Sequence, residues 1–163
     1  MKYESQLKRA LVALSLIALI ACSKPNCRKW VLFEDRAFYS KYNSGRLILE
    51  SETSMNYLEL EIDRTQSGIR MYLNLFLLPA RPLSDDPTLT SIQLVLEDDE
   101  CLTFYPYLFE GGQRLLLPPE ATDFIIKLLL EGHCFTFKVG KNELNVIPDN
   151  FQNSYDNLMA IPI

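Results

Sequence analysis

Histidine is almost missing from this chain, whose 163 residues include only one, His133. Histidine is the commonest metal ligand and the most frequent general base, so its scarcity disfavours most metal centres and nucleophile–base arrangements. The sequence also lacks a Cys-x-x-Cys pair, a Gly-x-Ser-x-Gly turn and a His-Glu-x-x-His segment. It therefore predicts a protein that is not an enzyme, with no catalytic residues, no metal and no cofactor.

Clusters of basic residues are lacking as well. Beyond residue 21 the chain carries 13 Lys and Arg against 20 Asp and Glu, a net charge of −7. Proteins hold nucleic acid chiefly by neutralising its phosphates with Lys and Arg, so we expect no nucleic-acid partner. The same balance predicts no electrostatic attraction to anionic lipid.

No apolar run is long enough to cross a bilayer. The longest lies at residues 10–21, twelve residues against the roughly 20 that a spanning helix needs. Three basic residues and one acidic residue precede it within residues 1–9. A short charged segment followed by such a run is the layout of a secretory signal peptide, which we predict over residues 1–21.

The run ends in Leu19-Ile20-Ala21-Cys22, which resembles the lipobox of bacterial lipoproteins. The resemblance implies that Cys22 receives lipid and that residues 22–29 form a stalk. It places the mature domain outside the cytoplasm, in the bacterial cell envelope, with the membrane as a partner through the lipid on Cys22. An ordinary signal peptide that ends beside a cysteine by chance, or a simple N-terminal hydrophobic helix, is the alternative.

Three cysteines remain for an oxidising compartment: Cys27, Cys101 and Cys134. Cys101 and Cys134 each open a strand-like Cys-x-Thr-Phe segment, so we predict a disulfide between them and a free Cys27 near the stalk. The alternative is that Cys101 and Cys134 are small buried apolar residues, since free cysteine is often buried.

Alternation of apolar and polar residues predicts a mainly β fold. The strands are expected at residues 46–52, 57–63, 69–78, 92–96, 101–105, 114–117, 133–139 and 144–147. Prolines make residues 79–87 a loop, and residues 30–42 have no clear period and fit either a strand or a helix. We expect an antiparallel sheet, a sandwich or a partly open barrel.

One or two helices complete an α+β fold of a single domain over residues 30–163. A helix near residues 119–131, packed on the sheet, is predicted by prolines at its start, apolar residues at helical spacing and Gly132 at its end. Asp149 or Asn150 is the predicted cap of a second, short helix through Met159.

Residues 101–158 resemble the C-terminal part of the invasion-associated locus B family. The resemblance rests on a strand, a helix over residues 124–130, Gly132, two strands and Phe151-Gln152-Asn153-Ser154-Tyr155. That family comprises small exported β-rich bacterial proteins linked to host-cell colonisation. The resemblance implies a β-sandwich and a role in the envelope; the upstream residues do not match the family.

Rings are dense in residues 104–109, Phe-Tyr-Pro-Tyr-Leu-Phe, which we call the ring-rich segment. Aromatic side chains are favoured at interfaces, so Tyr105, Tyr107 and Phe109 are candidate binding residues. They are also ordinary core residues of strands, which is the competing interpretation.

Carboxylates offer two weaker signals. Residues 97–100, Glu-Asp-Asp-Glu, suggest calcium, but their spacing is unlike an EF-hand loop and fits a solvated turn. Glu59 and Glu61 alternate with Leu58, Leu60 and Ile62, which is typical of the wet face of a strand.

The sequence thus favours a non-catalytic binding or structural module of the envelope, with an envelope or host protein as its partner. The alternative is a membrane-tethered hydrolase that uses carboxylates. A cleft holding two converging acids with perturbed pKa values would favour that alternative.

Overall fold

A computed structural model describes residues 29–50, 58–109 and 111–163, apart from the side chain of Glu50. These residues form two antiparallel sheets, two α-helices and a short 3-10 helix, Ser40–Tyr42. The strands are β1 (Lys29–Asp35), β2 (Ser44–Glu50), β3 (Leu58–Thr65), β4 (Gly68–Leu75), β5 (Ile92–Leu96), β6 (Cys101–Phe104), β7 (Tyr107–Leu108), β8 (Arg114–Leu116), β9 (Phe135–Val139) and β10 (Asn142–Val146). The helices are α1 (Pro119–Leu130) and α2 (Phe151–Ala160).

The larger sheet has six strands in the order β1-β2-β3-β4-β8-β7. Alternate residues of each strand point to one face, and along the central strands β2, β3, β4 and β8 most of them are leucine, isoleucine and methionine side chains with almost no exposure. The register places Leu60 opposite Leu73 and Ile62 opposite Met71, which makes this face continuous across the central strands.

The smaller sheet, β10-β9-β5-β6, and the two helices cover that apolar face. Phe137, Ile92 and Leu94 of the small sheet belong to the same buried cluster as Leu60 and Leu73 of the large one. One hydrophobic core therefore joins the two sheets and both helices.

Helix α1 begins and ends where the sequence predicts. Pro119 occupies the first turn, where a missing N–H costs nothing, and Thr122 Oγ1 donates to the carbonyl of Pro118 at 3.2 Å. At the other end Gly132 has a φ of +85°, which allows His133 N–H to donate to Leu128 O at 3.0 Å. Ala121, Ile125 and Leu129 of the predicted stripe are buried.

Helix α2 lies against β1 and β2. Gly45 of β2 permits this approach, because a Cβ there would fall within 3 Å of the ends of Ile161 and Leu158. Arg64 Nη1 donates to the carbonyls of Leu158 at 2.9 Å and Ile161 at 2.6 Å, so one side chain holds the C-terminal end of α2 on the sheet.

The predicted fold class is confirmed: the domain is mainly β with helices, its sheets are antiparallel, and they do not close into a barrel. Residues 30–42 supply β1 and the 3-10 helix. Asn150 is the N-cap of α2, but its side chain donates to Ser154 Oγ rather than accepting from a backbone N–H. Strand β4 ends at Leu75, three residues earlier than expected.

Across the described ranges, no helix combines the length and the apolar character that a membrane span requires.

Candidate functional site

The second face of the six-stranded sheet points away from the core and carries polar and aromatic side chains together with the aliphatic Val31, Ile48 and Leu116. We call it the outer face. Strand alternation places on it Phe33, Arg46, Glu59, Glu61, Asp63, Tyr72, Asn74, Tyr107 and Arg114.

Three carboxylates, two arginines and one amide form a connected group on this face, the carboxylate–arginine cluster. Its centre is Glu61, which is only 3% exposed. Asn74 Nδ2 donates to Glu61 Oε2 at 2.6 Å and to Glu59 Oε1 at 3.0 Å. Arg114 Nη2 donates to Glu61 Oε1 at 3.2 Å, and Arg46 Nε lies 3.7 Å from that same oxygen. Both oxygens of the buried carboxylate therefore have cationic or amide donors, as burial of a charge requires.

Asp63 is only partly satisfied, as is Arg114, whose buried Nε has no hydrogen-bond partner. Arg114 Nη2 approaches its Oδ2 at 3.5 Å, but its buried Oδ1 has no hydrogen-bond partner. The pKa of Asp63 is raised to about 6, first by burial and then by the charge of Glu61 and the hydrogen bond that a protonated Asp63 shares with it, while Arg114 and Arg46 oppose the rise. Asp63 is consequently an acid that changes protonation close to neutral pH.

Replacing Asp63 with asparagine is expected to stabilise the domain at pH 8 by on the order of 1 kcal/mol, after allowance for solvent screening. The folded state prefers the neutral acid, because its pKa is about 6 against 3.8 ordinarily. Ionisation of Asp63 therefore lowers the free energy of unfolding of the wild type. This destabilisation is absent below about pH 4, grows between about pH 4 and about pH 6, and is constant at higher pH. Urea unfolding at pH 4 and pH 8 measures the difference.

Asp86→Asn is the matched control for this titration. Thr88 donates to Asp86 Oδ1 from its hydroxyl at 2.6 Å and its amide at 2.9 Å, which lowers the pKa of Asp86. That variant should gain no stability at pH 8. Equal stabilisation by both substitutions would show that the pKa of Asp63 is not the cause.

The ring-rich segment lies beside the cluster, and its three candidate rings are exposed, whereas Pro106 is buried and Phe104 and Leu108 pack partly against the core. Tyr105, Tyr107 and Phe109 are each about half exposed, at 51%, 52% and 46%. The ring of Phe109 lies 6.1 Å from that of Tyr72, and Arg114 stacks over Tyr72 at 3.9 Å. The three candidate rings are thus on the surface rather than in the core, and Phe109 is joined to the cluster through Tyr72 and Arg114.

A second group of exposed rings was not singled out from the sequence. Phe38, Tyr39 and Tyr42 lie between β1 and β2, and Phe38 is 94% exposed. We call these rings the aromatic tip. Phe38 and Tyr39 meet edge to face at 4.9 Å, and Lys41 lies over Tyr42 at 4.9 Å. The only sequence signal was the density of rings in residues 30–42.

An open cavity of about 250 Å³ lies over the cluster, lined by Arg46, Glu61, Asp63 and Arg114 together with residues of β1 and β2. The cavity is small and its walls are charged, so it suits a small polar group or the side chain of a partner better than a large apolar ligand.

The predicted disulfide between Cys101 and Cys134 is not formed, and both residues are free thiols in the structure. Cys101 pairs with Val95 of β5, whereas Phe135, next to Cys134, pairs with Leu96 on the opposite edge of β5. Two strand spacings of about 4.8 Å therefore separate the cysteines, beyond the roughly 7 Å between Cα atoms that a disulfide spans. Cys22 and Cys27 lie outside the described residues.

The remaining polar candidates occupy surface positions. His133 is half exposed, with Glu97 and Glu131 each 3.9 Å from one of its ring nitrogens. Residues 97–100 form the β5–β6 turn, where Asp99 has a φ of +66° and Asp98 accepts from the amide of Glu100 at 3.2 Å. Among the described residues, no group of three or more His, Cys, Asp and Glu could hold a metal ion.

Comparison of the chain with protein-family models, curated proteins and solved structures gives no match.

Proposed function

We propose that the chain is a bacterial envelope lipoprotein, tethered through lipid on Cys22, whose domain acts by binding a protein partner at its outer face. The observation that carries the binding role is the exposure of Tyr107 and Phe109 beside the carboxylate–arginine cluster. The tether rests on the sequence, through residues 10–21 and Leu19-Ile20-Ala21-Cys22.

The outer face has the composition of a recognition surface. Tyr107 offers apolar area together with a hydroxyl, and Arg46 and Arg114 are each more than 40% exposed at their side chains despite their ion pairs. Tyrosine and arginine are, with tryptophan, the residues enriched at interface hot spots. Three carboxylates line the cavity, those of Asp35, Glu61 and Asp63, against two arginines, which favours a partner that presents basic side chains.

Lipid on Cys22 is tested by metabolic labelling with a fatty acid. The full chain should be labelled and should sediment with membranes, whereas a Cys22→Ala variant should lose the label, because only the sulfur of Cys22 accepts the diacylglycerol. A Cys27→Ala variant, which keeps the lipobox, should be labelled normally. Equal labelling of the Cys22→Ala variant would overturn the tether.

Binding at the outer face is tested by cross-linking in the native envelope. Tyr107→Ala should reduce the yield of a specific cross-linked product by about tenfold or more if the ring is a hot spot, and the melting temperature should change little because the ring is half exposed. Tyr105→Ala tests the neighbouring ring in the same way.

Phe38→Ala is the matched control, since it removes an exposed ring from the loop between β1 and β2, at the opposite edge of the sheet from β7. Loss of the product in Phe38→Ala but not in Tyr107→Ala would move the binding site to the aromatic tip. Loss with a lowered melting temperature would instead report unfolding.

A tethered hydrolase is the second candidate, favoured by one observation: Glu61 and Asp63 converge at one cavity, and the pKa of Asp63 is about 6. Such an acid can donate and accept a proton near neutral pH. Glu61 is poorly suited to a second role because both its oxygens are engaged by Asn74 and Arg114. If a panel of glycoside, ester and peptide substrates contains one that is cleaved by the wild type and not by Asp63→Asn, the hydrolase is the correct assignment.

A further inference from the structure

Three consecutive apolar residues are exposed directly after β4: Phe76, Leu77 and Leu78, at 56%, 57% and 62%. We call them the apolar loop. They continue a stretch without charge that runs from residue 71 to residue 80, between Arg70 and Arg81. Single exposed apolar residues are ordinary, but three in succession on an otherwise acidic domain form a patch that requires an explanation.

The apolar loop is held at both ends by backbone hydrogen bonds. Leu75 N–H donates to Gln113 O at 2.7 Å, and Ala80 N–H donates to Gly112 O at 2.8 Å. Pro79 adds a residue with a restricted φ inside the loop. The two hydrogen bonds and Pro79 therefore restrict the backbone of the loop. This restriction lowers the conformational entropy that is lost when the side chains of the loop contact another surface.

The loop lies at the same end of the six-stranded sheet as the start of the described chain. Lys29, the first residue of β1, pairs with Glu50 at the end of β2. Leu58, at the start of β3, pairs with Leu75, so the residues that follow Leu75 emerge at that same end. Three strand spacings, about 14 Å, separate β1 from β4.

Few residues separate Cys22 from the first described residue, Lys29. Seven residues, 22–28, precede Lys29, and even fully extended they span at most about 25 Å. A lipid on Cys22 therefore keeps the membrane surface within that distance of Lys29, on the side of the domain where the apolar loop is exposed. The aromatic tip lies at the other end of the sheet, beside the β3–β4 turn.

We propose that the apolar loop contacts the lipid bilayer, so that Phe76, Leu77 and Leu78 orient the tethered domain with its aromatic tip away from the membrane. The occupant is lipid rather than a protein because the chain leads to the membrane at this end. The inference rests on the proposed tether at Cys22. With a net charge of −7 after residue 21, the contact depends on apolar insertion and not on anionic headgroups.

The test uses the full chain, processed in a bacterial host and reconstituted into phosphatidylcholine vesicles that contain brominated phosphatidylcholine as a quencher. Leu77→Trp places an indole in the loop, and Phe38→Trp places one at the aromatic tip as the matched control. Trp30, the only native tryptophan, is buried and its emission is subtracted with the parent chain. We expect Leu77→Trp emission to shift to the blue and to be quenched by the brominated lipid. Phe38→Trp emission should stay at the wavelength of an indole in water and be quenched by iodide instead.

The outcomes separate this inference from the tether. Acylated protein whose Leu77→Trp indole remains in water would overturn the loop contact while the tether stands. Quenching of Leu77→Trp in protein that carries no lipid on Cys22 would overturn the tether and leave the contact in place. Equal lipid quenching at Leu77→Trp and Phe38→Trp would overturn the orientation. A second variant, Leu77→Ser with Phe76→Ser, should make the domain more accessible to protease at the membrane, and an unchanged cleavage rate would also count against the contact.

Discussion

Replacing Phe151 with alanine is expected to lower the free energy of unfolding by about 3–5 kcal/mol, the range for a large aromatic truncated in a packed core. Phe151 has no exposed surface and begins α2. Its ring meets Trp30 edge to face at 4.8 Å and stacks on Tyr155 at 5.5 Å. Trp30 in turn donates from Nε1 to the carbonyl of Ile147 at 3.1 Å. The ring of Phe151 and that of Trp30 therefore link β1, α2 and the segment after β10.

Phe38→Ala is the matched control for Phe151→Ala, because it also removes a phenylalanine ring, but one that is 94% exposed. It should change the free energy of unfolding by less than about 0.5 kcal/mol. Urea unfolding followed by the fluorescence of Trp30 measures both variants. If Phe151→Ala costs no more than Phe38→Ala, α2 does not pack against β1 as described.

Both α-helices and eight of the ten described strands were predictable because their signals are local, whereas β1 was left open and the two-residue β7 was not predicted. Leu58, Leu60 and Ile62 alternate with acids, and the alternation predicts both the strand and its buried face. The end of β4 was not predictable in this way, since Phe76 and Leu77 are as apolar as the buried residues before them. That strand ends where Leu75 bonds to Gln113 O, a residue 38 positions away.

The candidate site could not be predicted in this way. It depends on the order of the strands in the sheet, and the alternation of apolar and polar residues carries no information about that order. Glu61 was predicted on a wet face, but its partners Arg46 and Arg114 come from β2 and β8 and meet it only in the folded sheet. The same limitation explains the disulfide prediction. Cys101 and Cys134 lie in similar local sequences, but β5 lies between β6, which begins at Cys101, and β9, which begins directly after Cys134.

Glu61→Ala is expected to lower the free energy of unfolding by about 2–3 kcal/mol, because it leaves two arginines and an amide without their shared acceptor. The cost lies below that of a fully buried ion pair because the side chains of Arg46 and Arg114 are 46% and 42% exposed. Glu59→Ala is the matched control, on the same face of the same strand. Glu59 has a single described donor, Asn74 Nδ2 at 3.0 Å, and its loss should cost less than about 1 kcal/mol.

Glu61→Gln distinguishes the electrostatic role of Glu61 from its packing. Glutamine keeps the shape and the acceptor for Arg114 but removes the negative charge beside Asp63. The pKa of Asp63, about 6 in the parent, should therefore fall, because the charge of Glu61 is one of the causes that raise it, after burial. A carboxyl titration by NMR measures that pKa in both proteins. A value unchanged in Glu61→Gln would mean that burial alone raises the pKa of Asp63, and that the two acids do not interact across the cavity.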